Sequence, residues 1–208
     1  HNPEMDGTKV EVCPNVIEVV DKSIDEGIRN KIKEKYEIPL DKKVFVYGGN
    51  LGRPQGIDFL IKCIESQKDN DKVFFFVVGD GTDYGKLEEY YKSSGQKNFK
   101  LMKRLPKDDY DTVVAACDVG LIFLDHRFTI PNFPSPLLGY IQAKLPVLAC
   151  TDSNTDIGKV IVDGDFGWWC ESNDIVAFSK SIYEAEQSDR RAIGNRGSNY
   201  LLNHYTVE

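Results

Sequence analysis

The sequence predicts an α/β protein: a Rossmann-like parallel sheet with helices on both faces. Three observations predict it. Apolar runs of strand length alternate with amphipathic runs of helix length along nearly the whole chain, the pattern of a sheet with helical crossovers. Two of these runs, VFFFVV (Val73 to Val78) and VGLIFL (Val119 to Leu124), are almost continuously apolar, as strands covered on both faces are. An earlier run, Val44 to Tyr47, ends at Gly48-Gly49, crosses a turn with Gly52 and Gly56, and becomes a helical apolar pattern. That is a strand, a glycine turn and a helix start.

Taken in order, the opening from His1 to Val20 is irregular, and a polar, charge-mixed helix is expected from Ser23 to Tyr36, closed by Pro39. The β-branched and aromatic run Val44–Tyr47 is the first strand, followed by a helix over Gly56–Gln67. Strand Val73–Val78 leads through Gly79-Asp80-Gly81 to a helix at Tyr84–Ser93, which Thr82 or Asp83 can cap. Strand Phe99–Met102, helix Lys107–Ala116, strand Val119–Leu124 and helix Pro136–Lys144 come next. The chain continues with strand Pro146–Ala149, helix Thr155–Val162, strand Gly167–Cys170 and helix Ile175–Gln187. Trp168-Trp169 inside a strand reads as core or interface packing before a stacking platform. The segments divide as a leading inter-domain linker over 1–22, a Rossmann-like domain over 23–187 and a tail helix over 188–208.

At 208 residues and 41% hydrophobic, the chain can bury the core of one domain. A net charge of −7 argues against a nucleic-acid binder, which needs a basic surface. A phosphate ligand would have to be met locally, by helix ends and a few placed cations. Cys13, Cys63, Cys117, Cys150 and Cys170 are odd in number, scattered and free of CxxC spacing, so they read as reduced core thiols and not as a zinc or disulfide framework. No signal peptide or bilayer-length apolar run is visible, which reads as cytoplasmic. The opening HNPEM, without an initiator Met, reads as a fragment of something larger.

In such sheets ligands sit at the carboxyl ends of the strands, so the loops there are the candidates. GGxxG at Gly48, Gly49 and Gly52 suits a phosphate-sized anion or an ordinary βα turn, and lacks the GxGxxG spacing of a dinucleotide site. Lys103-Arg104-Leu105-Pro106-Lys107 is the densest cationic cluster among the loops. The stretch DHRFTIPNFPSP, Asp125 to Pro136, holds a histidine, an Asp, an Arg and three prolines, and an irregular loop of that composition is more often functional than decorative. His126 there is equally a ligand donor or a satisfied structural histidine. No spacing for a catalytic triad, a metal cluster or a carboxylate pair is present in the sequence. Asp152 and Asp156 belong to a helix-capping loop first and to a sugar contact second.

Five stretches in order, PNVIEV, YGGNLGRPQGIDFLI, VVGDG, LPKDDYDTVVAACDVGLIF and PSPLLGYIQAKLPVLA with TDIGKVIVDGDFGWW, resemble the carboxyl-terminal, donor-binding half of a GT-B glycosyltransferase. The resemblance is to the retaining family 4 group of bacterial surface-polysaccharide biosynthesis and covers Cys13 to about Gln187. It implies binding of a nucleoside-diphosphate sugar, with no cofactor or metal, and transfer to a glycan or lipid-linked acceptor held by a missing amino-terminal domain. A full-length protein of this kind would work in the cytoplasm or at the inner face of the membrane, and the isolated half would bind donor without turnover. By position, the resemblance places Gly48, Gly49, Asn50, Arg53, Ser135 and Leu137 at the diphosphate and ribose, and Gly79, Asp80, Arg104 and Leu105 at the nucleoside. Asp125, His126 and Arg127 would face the donor sugar as the catalytic group.

Two departures stand out. Relatives often carry two glutamates eight apart, where this chain has Pro131 and Gly139, and a Lys or Arg after the PS pair, where it has Pro136. Arg53, Lys103 or Arg127 would then have to compensate. A non-catalytic relative and a sugar-nucleotide epimerase of the same architecture are the competing expectations. A flavodoxin-like regulatory module would need a phosphoacceptor at a strand end, and Asp125 is the one candidate.

Overall fold

In the computed structural model, residues 17–128 and 133–205 are described. Six parallel strands form one sheet: β1 (Lys43–Asn50), β2 (Val73–Asp80), β3 (Phe99–Met102), β4 (Val119–Phe123), β5 (Val147–Thr151) and β6 (Gly167–Glu171), in the order β3-β2-β1-β4-β5-β6. The helices are α1 (Glu26–Lys35), α2 (Ile57–Ser66), α3 (Tyr84–Ser94), α4 (Lys107–Ala116), α5 (Pro136–Gln142), α6 (Ile157–Asp163), α7 (Ile175–Gln187) and α8 (Arg190–His204).

Successive strand side chains go to opposite faces. Val44 and Val46, Phe74 and Phe76 join one core with Ile32 of α1, Val113 of α4, Ile141 of α5, Ile161 of α6 and Leu201 of α8. Phe45 and Tyr47, Phe75 and Val77 join the other with Leu60 of α2, Leu87 of α3 and Phe178 of α7. The tail helix α8 thus packs on the same core as the rest. Trp169 also stays with packing: its ring fills the space over Gly158, and its indole N–H donates to Thr151 Oγ1 at 2.9 Å.

The strand order reverses direction between β1 and β4, where a sheet of this winding opens a crevice at its carboxyl edge. β1 runs past the expected end: Gly48, Gly49 and Asn50 are still paired, with Val78, Gly79 and Asp80. The glycines are therefore in the strand, and the turn comes later, through a 3₁₀ turn at Arg53–Gln55 and a left-handed Gly56. Other boundaries moved for local reasons. The Asp25 carboxylate accepts Ile28 N–H, so α1 starts at Glu26 and not at Ser23. Asp152 Oδ1 accepts from Asn154 and Thr155 N–H, holding a loop where the next helix was expected, and α6 begins at Ile157. α5 ends at Gln142, and Lys144, at φ 52°, turns the chain into β5.

At the opposite edge of the sheet, the buried Asp118 is ringed by three cations. Arg29 Nη2 contacts Asp118 Oδ1, Lys33 Nζ lies 3.6 Å from Oδ2 and Arg190 Nε 4.0 Å from Oδ1. Lys33 is 2% exposed, and burial pulls its ammonium below the usual 10.5 despite the neighbouring carboxylate. For a base whose folded pKa is depressed, protonation opposes folding; that penalty is relieved as pH rises through the folded pKa toward 10.5. Lys33→Met is expected to leave the melting temperature unchanged or raised at neutral pH, and to remove the gain in stability on going alkaline. Thermal melts from pH 7 to 10 check it; a marked loss of stability at pH 7 would sink the assignment.

Candidate functional site

A cleft of about 790 Å³ opens at the carboxyl edge of β1 and β2, between α4 and α5, a volume that suits a nucleotide-sized ligand. Its floor is glycine by steric necessity. A Cβ on Gly48 would overlap the ring and hydroxyl of Tyr110, and one on Gly79 would overlap the Gly49 carbonyl oxygen. Gly49 itself sits at φ +139°, a backbone that side-chain-bearing residues rarely adopt. The result is an exposed stretch of backbone at Gly49-Asn50 with no side chain over Gly49.

The walls carry the charge. Arg104, after β3, and Lys107, opening α4, are exposed on the cleft and have no carboxylate partner among the described residues. Lys22 bridges to Asp111 on α4 at 2.8 Å. Asp80 Oδ1 accepts the Gly81 N–H, which fixes the loop after β2. On the α5 side, Ser135 is exposed with its hydroxyl making no capping bond, and Phe133, Pro136 and Gly139 complete the wall. A Cβ on Gly139 would meet nothing within 4 Å. In a chain of net charge −7, two cations facing a cleft with no ion-pair partner among the described residues concentrate positive potential there.

Of the residues singled out in the sequence, Gly48, Gly49, Asn50, Gly79, Asp80, Arg104, Leu105 and Ser135 meet in this cleft. Arg53, Leu137, Asp125, His126 and Arg127 are not among its lining. Arg53 is exposed on the 3₁₀ turn, and Leu137 is fully buried in the core. Asp125 lies behind the β1–α2 turn: its N–H donates to Pro54 O at 2.8 Å, and its backbone abuts Gly56. Arg127 Nε and Nη2 donate to the Asp125 carboxylate at 2.8 and 2.7 Å, holding it well below the usual range, at about 2. His126 Nδ1 stands 3.7 Å from the same carboxylate. Pro131 falls outside the described residues. Lys103, one of the cations weighed as a compensating charge, lies over the Tyr84 ring at 4.3 Å.

Sequence reasoning missed Lys22, Tyr110, Asp111 and Tyr140 as cleft residues. Nothing local announces them; each is brought in by a helix or by the segment leading to α1. Among the described residues no group of three His, Cys, Asp or Glu side chains is placed to hold a metal ion, and no helix is long and apolar enough to cross a membrane.

Comparison with known proteins agrees with the fold. A family model described as glycosyl transferases group 1 matches residues 28–200. The chain is 30% identical over 165 residues, 79% of its length, to the probable glycosyltransferase WbjE of Pseudomonas aeruginosa, and covers 41% of that protein. It is 24% identical over 192 residues, 91% of its length, to the putative colanic acid biosynthesis glycosyl transferase WcaI of Escherichia coli K12, and covers 42% of it. It therefore spans well under half of the curated relatives it matches. Among solved structures, the C-terminal domain of the glycosyl transferase LpcC from Francisella tularensis superposes with a TM-score of 0.72 at 17% identity, covering 92% of this chain and 100% of that one. Anabaena Alr3699/HepE, solved with UDP and glucose, superposes at 0.74 and 13% identity over 92% of this chain and 52% of that one.

Proposed function

The chain belongs to the glycosyl transferases group 1 family, and on that premise we propose that its cleft binds the nucleoside diphosphate of a sugar donor. The whole protein would transfer that sugar, with retention, to a glycan or lipid-linked acceptor held by a second half. One observation carries this assignment: exposed glycine backbone at the switch point of the sheet, faced by Arg104 and Lys107 without counterions among the described residues. HepE, of the same fold, is solved with UDP-glucose, which supports a nucleotide sugar as the ligand class.

In this scheme the Gly49 backbone and the Ser135 hydroxyl meet the diphosphate, Arg104 and Leu105 lie beside the nucleoside, and Lys107 adds positive potential. As the glycosidic bond breaks, negative charge grows on the departing diphosphate, and preorganised donors and cations stabilise it. The isolated domain binds donor and does not turn over. Asp125, His126 and Arg127 are given no contact with the nucleotide.

Calorimetric titration with UDP and GDP tests this. Saturable binding of one nucleotide is expected, weakened about tenfold or more by Arg104→Ala, since a bond to a charged group is worth about 1.5–3 kcal/mol. Arg53→Ala, outside the cleft, is expected to leave affinity within about twofold, the scale of an exposed charge. Absence of binding by either nucleotide at millimolar concentration would sink the assignment in favour of a non-catalytic relative, consistent with Gly139 and Pro136 standing where relatives carry charge.

A further inference from the structure

The pairing of β1 with β4 stops at Tyr47↔Leu121. Where the next rung would form, a side chain takes its place. Tyr140, from α5, is 1% exposed, and its hydroxyl accepts the Gly48 N–H at 3.3 Å while lying 3.2 Å from Leu121 O and 3.4 Å from Val46 O. The ring passes over Gly120 of β4, where any Cβ would overlap it. Tyr110, from α4, brings its own hydroxyl up to that of Tyr140 and fills the space directly beneath Gly48. Burial pushes the Tyr110 hydroxyl up to about 12 and that of Tyr140 well above 10, so both stay neutral across the physiological range.

Two tyrosines from two helices thus occupy the point at which β1 and β4 part. Gly48 N–H and Leu121 O are buried groups that must be satisfied. A single hydroxyl does this while keeping the strands a side chain's width apart. We propose that Tyr140, backed by Tyr110, is a positioning residue for the donor's diphosphate: its hydroxyl is spliced between β1 and β4, holds the crevice open and fixes the Gly48-Gly49 backbone that faces the phosphates. The inference rests on the nucleotide reading of the cleft. It differs from a purely structural role in one respect: it concerns the phosphate end of the ligand and leaves the nucleoside end alone.

The test compares UDP with uridine (or GDP with guanosine, should GDP be the nucleotide bound) on wild type and Tyr140→Phe. Chemical shifts in glycine-labelled protein are followed, because they report weak binding as well as tight. The expected result is about a tenfold loss for the diphosphate with the nucleoside unchanged. Equal loss for both, or no loss for either, overturns the inference and leaves the nucleotide reading intact. Failure of wild type to bind either diphosphate overturns the nucleotide reading and the inference with it. If Tyr140→Phe does not fold, Tyr110→Phe keeps the ring under Gly48 and removes its hydroxyl. It is expected to weaken the diphosphate alone by about threefold, and unchanged diphosphate affinity in that variant overturns the inference.

Discussion

Gly79→Ala is expected to abolish measurable nucleotide binding, although it adds one methyl group. Its Cβ would overlap the carbonyl oxygen of Gly49, with Leu51 Cγ at 3.2 Å on the other side. A flexible side chain can move aside, but this oxygen belongs to the neighbouring strand, paired at Gly49↔Gly79. The ends of β1 and β2 would have to spread, and the part that moves is the backbone assigned to the diphosphate. Overpacking of this kind costs about 1–3 kcal/mol of stability, and displacement of the loop removes the site itself. Gly139→Ala is the control: it lines the same cleft, meets nothing within 4 Å and lies inside a helix. Alanine there is expected to hold or raise stability, by up to about 1 kcal/mol, and to keep UDP affinity within about twofold. UDP titrations of both variants decide the matter, and Gly79→Ala binding like wild type would count against the placement of the site.

Asp118→Ala is expected to be the most damaging substitution to the fold. Asp118 is 6% exposed, and its carboxylate accepts Val44 N–H at 2.9 Å through Oδ2 and is the counter-charge for Arg29, Lys33 and Arg190. Removing it leaves a buried strand N–H unpaired and three cations facing one another, already in surplus. Breaking a buried pair costs about 3–5 kcal/mol, a large share of the roughly 5–15 kcal/mol of a whole domain. The melting temperature should fall by about 10 °C. Asp118→Asn retains an oxygen acceptor and should lie between the two. The cluster sits before β4, at the edge of the sheet away from the cleft, so the folded fraction of either variant should bind UDP as wild type does. A melt within a few degrees of wild type for Asp118→Ala would show that the cations redistribute to solvent.

Alternation, apolar runs and glycine punctuation are local signals, and they placed every strand and helix among the described residues close to where it forms. What they could not show was the consequence of pairing. Gly48 and Gly49 read as a turn because glycine usually ends a strand; here Val78 and Gly79 pair with them and extend it. The site residues divide the same way. Arg104 and Ser135 follow from their loops being at strand ends. Arg53 sits in one of those loops too, but the 3₁₀ turn and Gly56 aim it outward. Asp125 comes two residues after β4, yet its loop folds back on Pro54. Tyr110 and Tyr140 look like ordinary core tyrosines in the sequence, since their value comes from meeting Gly48 from two helices separated along the chain.

The open wall at Gly139 has a use in probe chemistry. Where a side chain could stand without touching the protein, a substituent on the ligand could stand instead. The cleft is thus a natural hole awaiting a bump. Nucleotide analogues enlarged on the face toward α5 should still enter, while a Gly139→Glu variant, with a side chain standing in that space, should reject them. If the cleft is the donor site proposed above, such an analogue would single it out in a mixture of related proteins.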